Sequence, residues 1–171
     1  QQLEVLRKIG VLYQSSALFG SMNLLANISL PLEELTQLPS SSITKIAHNK
    51  LKMVGLDGFG HYMPAQISGG MQKRAAIARA MALDPKILFL DEPSSGLDPI
   101  SSSELDKLIV NLSEILGITF VIVSHDLSSI YKIAQRVILL HNGKIIAEGN
   151  PRELRDSPDP IIKKFFTYNL V

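Results

Sequence analysis

Ile87-Leu88-Phe89-Leu90-Asp91-Glu92 is a run of four apolar residues closed by two carboxylates, and the reading of that stretch decides the fold. Four consecutive apolar residues bounded by polar ones suit a short buried strand. A second run, Ile118-Thr119-Phe120-Val121-Ile122-Val123, lies downstream. Continuous apolarity predicts strands buried on both faces, as in a parallel sheet covered by helices. Between the two runs, residues 101–116 carry Leu105, Leu108, Ile109, Leu112, Ile115 and Leu116 on one helical stripe. Asp98 stands at the cap position, Pro99 suits the first turn, and Gly117 supplies the stop. Strand, helix and strand together predict a right-handed βαβ unit in an α/β layer.

Outward from this unit the pattern remains legible. Ile9 to Tyr13 reads as a strand that ends at Gln14. Residues 23–85 read as mainly helical: Asn23 caps a short helix through Ile28, Pro31 and Pro39-Ser40-Ser41-Ser42 break the pattern, and residues 42–54 resume it. Ser68 is a good N-cap for a helix over residues 71–82. Past Ser124-His125-Asp126, a short helix (127–134) leads to Val137-Ile138-Leu139-Leu140. Asn142-Gly143 then joins that run to Lys144-Ile145-Ile146-Ala147, the strongest short-range hairpin signal. Residues 151–155 and 161–166 read as terminal helices. The expected organisation is one domain over 1–171, with 23–85 as a helical subdomain inside it and 86–171 as the carboxyl-terminal part of its α/β core.

Composition narrows the function. The chain has 171 residues, 46% of them hydrophobic and 19% charged, enough for a core and too apolar for disorder. A net charge of +1 creates no strong field toward nucleic acid or anionic lipid. The absence of cysteine removes disulfides and thiolate metal sites, and the absence of tryptophan weakens any base-stacking reading. No apolar run reaches the roughly 18 residues needed to span a bilayer, and residues 1–8 lack the pattern of a signal peptide. A soluble globular domain of a reducing compartment is the expectation.

Chemistry concentrates at the strand ends. Asp91 and Glu92 stand at the carboxyl end of a parallel strand, where α/β sheets bind ligands. One acid of such a pair can hold Mg²⁺ and the other can activate an attacking water; an ordinary turn after a strand would use the same residues. Ser68-Gly69-Gly70 opens a helix, and glycines there cost roughly 1 kcal/mol each against alanine. They would let an anion approach backbone N–H groups at the positive end of the helix dipole; a plain capped helix is the alternative. Lys73, Arg74 and Arg79 could extend that field, although solvated helix charges are the expected role. Gln14 and His125 each follow a strand, where a ligand would reach them. Structural roles at strand ends remain the alternative. Ser95-Gly96-Leu97-Asp98 alone reads as a turn into the capped helix.

The ordered set is more specific than its members. Gln14, then Ser68-Gly69-Gly70, then Asp91-Glu92, then Ser95 to Asp98, then His125, resembles the ATP-binding-cassette (ABC) ATPase family in identity, order and spacing. There these are the Q-loop, signature motif, Walker B strand, D-loop and switch histidine. More narrowly, residues 13–19, Thr36-Gln37-Leu38-Pro39 and Ser157-Pro158-Asp159-Pro160 look like the ATPase subunit of Mce-type phospholipid (toluene-tolerance) transport systems of Gram-negative envelopes.

The resemblance implies a P-loop NTPase fold: a mainly parallel sheet, a helical subdomain and a carboxyl-terminal antiparallel hairpin. It implies ATP and Mg²⁺ as ligands, with Asp91 and Gln14 toward the metal. Glu92 would be general base, Gln14 and His125 would sense the γ-phosphate, and Ser68, Gly69 and Gly70 would bind the ATP held by a second subunit in a head-to-tail dimer. Asp98 would link the two sites. Membrane permease subunits and periplasmic lipid-binding components are the further partners implied, with no nucleic acid, and the location is peripheral, on the cytoplasmic face of the bacterial inner membrane. The short interval between Gln14 and Ser68 suits a compact helical subdomain and leaves no room for the coiled coil of chromosome-maintenance relatives.

Two departures stand out. The signature usually reads Leu-Ser-Gly-Gly-Gln, but here it is Ile67-Ser68-Gly69-Gly70-Met71, and Met71 cannot hydrogen-bond as glutamine does. A P-loop, G-x-x-x-x-G-K-[ST], does not occur in the 171 residues: the only Gly-Lys pair, Gly143-Lys144, is followed by Ile145. In the family the P-loop precedes the Q-loop, so this chain is expected to start after it and, by itself, to bind ATP weakly without turning it over. Two other readings compete: a non-catalytic module docking on a permease or a full ATPase, and a soluble ABC protein of translation or repair.

Overall fold

The computed structural model describes residue 5 and residues 7–167, which form two compact units, one ending at Val123 and the other starting at Ser124. In the first unit, β1 (Ile9–Leu12), β2 (Ile87–Asp91) and β3 (Thr119–Val123) form a parallel sheet in the order β1-β2-β3. Its register pairs Ile9 with Ile87, Leu12 with Leu90, Ile87 with Thr119 and Asp91 with Val123. The βαβ reading therefore holds, with the helix Pro99–Leu116 as its crossover, and three more α-helices lie between β1 and β2. These four helices are α1 (Leu24–Leu35), α2 (Ser40–Met53), α3 (Gly69–Ala80) and α4 (Pro99–Leu116).

The caps follow the sequence. Asn23 Oδ1 accepts from Ala26 N at 2.8 Å, Ser68 Oγ from Met71 N at 3.2 Å, and Asp98 Oδ1 from Ile100 N and Ser101 N at 3.0 Å each. Gly117 ends α4 in the left-handed region at φ 64°. One core unites Leu12, Leu24, Ile28, Leu51, Ile77, Leu88, Leu90, Leu105 and Ile109, so the helices and one sheet face share a single apolar interior.

Two expectations need correction. Pro31 does not end the first helix: α1 continues to Leu35 with Pro31 inside it. Interior proline costs about 3 kcal/mol, but Leu24, Asn27, Ile28 and Leu32 are all buried on the face α1 turns to the core. At about 1.5–3 kcal/mol per buried aliphatic side chain, packing outweighs the break. Nor are the sheet strands buried on both faces. Leu88 and Leu90 are enclosed, whereas Ile87, Phe89, Val121 and Val123 on the opposite face are exposed. An apolar run reports that a strand can be covered twice. Among the described residues of this unit only one helical layer, α3 and α4, packs on the sheet.

The second unit holds α5 (Leu127–Ile133), the antiparallel pair β4 (Val137–His141) and β5 (Lys144–Gly149), α6 (Pro151–Arg155) and α7 (Pro160–Thr167). Asn142 and Gly143 both take positive φ, 49° and 72°, as a two-residue hairpin of the favoured twist requires. The last helix, α7, packs inward: Ile162 and Phe166 are buried with Leu127 and Leu139, and Tyr131 and Phe165 ring the Phe166 side chain.

Candidate functional site

Three segments of the first unit are tied together at the carboxyl ends of β1 and β2. After β1 the chain turns sharply: Ser16 N donates to Tyr13 O at 2.9 Å, and Ser16 and Ala17 stand at φ 64° and 49°. Left-handed backbone costs a non-glycine residue on the order of 1–3 kcal/mol, so something must hold both residues there. Helix α3 supplies it. Lys73 Nζ donates to the Gln14 carbonyl. Arg79 donates to the Ala17 carbonyl at 2.8 Å and the Ser16 carbonyl at 3.4 Å, and its guanidinium lies 5.6 Å from the centre of the Phe19 ring. At the far end of the loop the fully buried Asn27 accepts from Phe19 N at 2.8 Å and donates to the carbonyls of Phe19, Met22 and Asn23.

The expected solvated role for Lys73 and Arg79 is therefore wrong. Lys73 is only 5% exposed, because α3 is enclosed: Ala75, Ala76, Ile77 and Ala78 are all buried. Burial depresses the Lys73 ammonium pKa, while the negative charges of Asp91 and Glu92 act in the opposite direction. Burial likewise lowers that of Arg79. Neither cation was picked out for this role from the sequence, yet Ala75-Ala76-Ile77-Ala78 was a usable signal. Four consecutive apolar residues predict a stretch of helix enclosed on every side, which draws the flanking cations at least partly out of water.

The strand tip carries its own strain. Glu92 takes φ 44°, its N–H donates to Val123 O at 2.9 Å, and its carbonyl accepts from Ser95 N at 3.1 Å. Asp91 is exposed and Glu92 half-buried. Gln14, also exposed, directs Nε2 to Ser95 Oγ at 3.4 Å, which brings the end of β1 beside the turn after Glu92.

The start of α3 lies against the same turn. An added Cβ on Gly69 would stand 3.5 Å from Leu97, and one on Gly70 3.4 Å from Ser101. Those are ordinary contacts, so the fold itself does not demand glycine at either position, and the expected close backbone approach is not to this chain. Ser68 and Gly69 are exposed. As the first two residues of α3, Gly69 and Gly70 have N–H groups with no acceptor inside the helix. Met71 packs on the core instead of pointing outward. Asp98 spends its carboxylate on capping α4: Oδ2 accepts from Ser101 Oγ at 2.6 Å, and that hydrogen bond is the main reason its carboxyl pKa falls below the ordinary value.

Gln14, Ser68-Gly69-Gly70, Asp91-Glu92, Ser95 and Asp98 thus belong to one unit. His125 is the exposed second residue of the other unit, just after β3. No cluster of three or more metal-ligating carboxylates or histidines occurs among the described residues. Asp91 and Gln14 offer hard oxygen donors of the kind Mg²⁺ accepts, and Mg²⁺ characteristically completes its shell with water and substrate phosphates. The residues present therefore fit that ion.

The chain has relatives among known proteins. The chain is 44% identical over 161 residues to the intermembrane phospholipid transport system ATP-binding protein MlaF of Escherichia coli K12, an overlap of 94% of this chain and 60% of that protein. It is 40% identical over 162 residues to the probable ribonucleotide transport ATP-binding protein mkl of Mycobacterium leprae, 95% of this chain and 47% of that one. The chain thus spans about 60% of the MlaF sequence and less of mkl. Among solved structures, the ATP-binding cassette MJ0796, a dimer in a post-hydrolysis state bound to ADP and Pi, superposes with a TM-score of 0.76 at 33% identity, covering 87% of this chain and 65% of that chain. The sequence pattern of the family described as ABC transporter matches residues 1–95, and the chain belongs to the ABC transporter family, with the fold of its ATP-binding cassette.

Proposed function

We propose that these residues belong to a subunit that binds and hydrolyses ATP to drive a bacterial envelope transporter of phospholipids. The observation that carries the reading is the strained acid at the tip of β2: Glu92 is held at φ 44° directly after the exposed Asp91, and strain of that kind clusters at functional sites. Asp91 and the Gln14 amide oxygen would hold Mg²⁺, whose charge offsets that building on the phosphate oxygens during transfer. Glu92 takes a proton from the attacking water as the water oxygen bonds to the γ-phosphorus. The bond from that phosphorus to the bridging oxygen breaks, and ADP leaves with the electron pair. Gln14 orients the water, and His125 reads the presence of the γ-phosphate.

Ser68 and the N–H groups of Gly69 and Gly70 suit an oxyanion arriving from outside the chain, in keeping with the ATP of a second subunit placed head to tail. Asp98, at the cap of α4 beside Gly70, would link the two sites. The lipid cargo follows from the resemblance to a phospholipid transport ATPase. It brings with it permease and periplasmic lipid-binding partners and a peripheral position on the cytoplasmic face of the inner membrane. The phosphate cradle of a P-loop is not among these 171 residues, and each missing charge-assisted hydrogen bond is worth roughly 1.5–3 kcal/mol. The 171-residue chain alone is therefore expected to bind ATP weakly and not to turn it over.

The deciding experiment compares phosphate release by the full gene product with that of its Glu92→Gln variant. Hydrolysis is expected to fall at least about 100-fold with ATP binding retained. Equal turnover by the variant would overturn the reading, and intact transport with that variant would favour the non-catalytic docking module.

A further inference from the structure

The geometry points to Lys73 and Arg79 as positioning residues for hydrolysis: from one helix they grip the carbonyls of Gln14, Ser16 and Ala17 and thereby fix where the Gln14 side chain stands. This rests on the proposed ATPase reading and adds to it the part of the machinery that acts through Gln14.

Gln14 is exposed and, among the described residues, its side chain makes one long hydrogen bond, to Ser95, so its own bonds do not define its place. The loop backbone must do so. That backbone runs through two consecutive left-handed residues, Ser16 and Ala17, neither of which is glycine, and it would relax to ordinary φ if released. The carbonyls at 14, 16 and 17 each accept from a cation of α3, while buried Asn27 fixes the downstream end at Phe19. Lys73, only 5% exposed, has little water to compete for its bond, which makes that bond stronger than its exposed equivalent, while the half-buried Arg79 adds two carbonyl contacts of its own.

The same helix begins at Ser68-Gly69-Gly70. The segment that would meet a second subunit's nucleotide and the segment that would orient water at this subunit's own site are therefore joined by one rigid rod less than two turns long between Gly69 and Lys73. Any shift of α3 on dimer formation is transmitted to Gln14 through Lys73 first.

The test is a double-mutant cycle on the full gene product. Lys73→Met is expected to lower kcat about tenfold at unchanged KM for ATP, the size of one lost charge-assisted hydrogen bond, and Lys73→Arg to recover most of it. In a Gln14→Ala background the Lys73→Met loss should vanish, since the group it positions is gone. Undiminished loss in that background, or wild-type kcat in Lys73→Met, would overturn the proposal.

If Lys73→Met does not fold, Arg79→Lys, which keeps the charge and loses the fork, is read in the same cycle. Amide hydrogen exchange supplies the readout independent of catalysis: the variants should speed exchange at the Ser16 amide, which donates to Tyr13 O, at least about tenfold and leave β2 and β3 unchanged. Should the wild-type gene product prove unable to hydrolyse ATP, the ATPase reading fails while the exchange result still decides the clamp. Unchanged exchange at Ser16 would sink it.

Discussion

The backbone N–H of Glu92 donates to the carbonyl of Val123 at 2.9 Å and so closes the last pair of β2 and β3, Asp91 with Val123, while Glu92 itself sits at φ 44°. The rung and the following turn, in which Ser95 N–H returns to Glu92 O, together over-determine a conformation that an acidic residue before proline avoids. Residues preceding proline are pushed toward extended backbone, and here Pro93 is buried immediately after. The sheet therefore holds a carboxylate in a place its own backbone preference would not choose.

Relieving that strain should separate stability from activity. Left-handed backbone costs an L-residue about 1–2 kcal/mol, and glycine gives back about 0.5–1 kcal/mol through the freedom of the unfolded chain. Glu92→Gly is thus expected to exceed Glu92→Ala, which lacks the same carboxylate, by roughly 0.5–1 kcal/mol of unfolding free energy in urea titration, and both variants to abolish ATP turnover by the full gene product. A glycine variant no more stable than the alanine one would mean that the backbone at this position is not under strain.

Gly10 poses the reverse case. It lies in β1 where α3 ends, and a Cβ there would collide with the carbonyl oxygen of Ala80 and the side chain of Leu88. The leucine can turn aside; a helix carbonyl cannot. Gly10→Ala is expected to destabilise by about 3 kcal/mol, the upper end of overpacking costs, measured by chemical unfolding. A loss under about 1 kcal/mol would show that β1 and α3 can separate freely.

How far the sequence could be read depended on which force decided each element. The βαβ unit from Ile87 to Val123 was legible because apolar periodicity, Asp98, Pro99 and Gly117 all argue for the same boundaries. The Asn142-Gly143 hairpin was legible because its turn demands positive φ that those residues tolerate. Pro31 misled because a local rule met a larger packing term from Leu24, Ile28 and Leu32. The exposed face of Phe89 and Val121 could not be foreseen, since an apolar run says nothing about how many layers cover it. At the site, Asp91, Glu92 and Ser68 announced themselves by residue type and position. The clamp did so only faintly: Ser16 and Ala17 give no sign of left-handed backbone, and the apolar run Ala75 to Ala78 is the one hint that Lys73 and Arg79 are not plain solvated helix charges.

The misread proline yields its own prediction. Restoring the N–H and removing the ring at position 31 should recover about 3 kcal/mol of helix propensity, less about 0.4–1 kcal/mol for the looser unfolded chain. Pro31→Ala is therefore expected to stabilise by about 2 kcal/mol in urea unfolding. Destabilisation would indicate that the ring itself fills a needed space beside α1.

Asp98 makes an acid-dependent contribution. Its carboxylate accepts from Ser101 Oγ, Ser101 N and Ile100 N, which holds its pKa below the ordinary carboxylate value. A depressed folded value means that the unfolded chain takes up the proton first as pH falls. The stabilisation is thus complete above about pH 4, the unfolded aspartate range, and disappears as pH drops through the folded value. Asn at this position can still cap α4 but cannot ionise. The melting temperature of wild type is expected to exceed that of Asp98→Asn at pH 7, with the gap closing as pH is lowered through the range below 4. A gap that stayed constant with pH would show that the carboxylate charge adds nothing to the cap, and that the three hydrogen bonds at the head of α4 are as strong to a neutral oxygen.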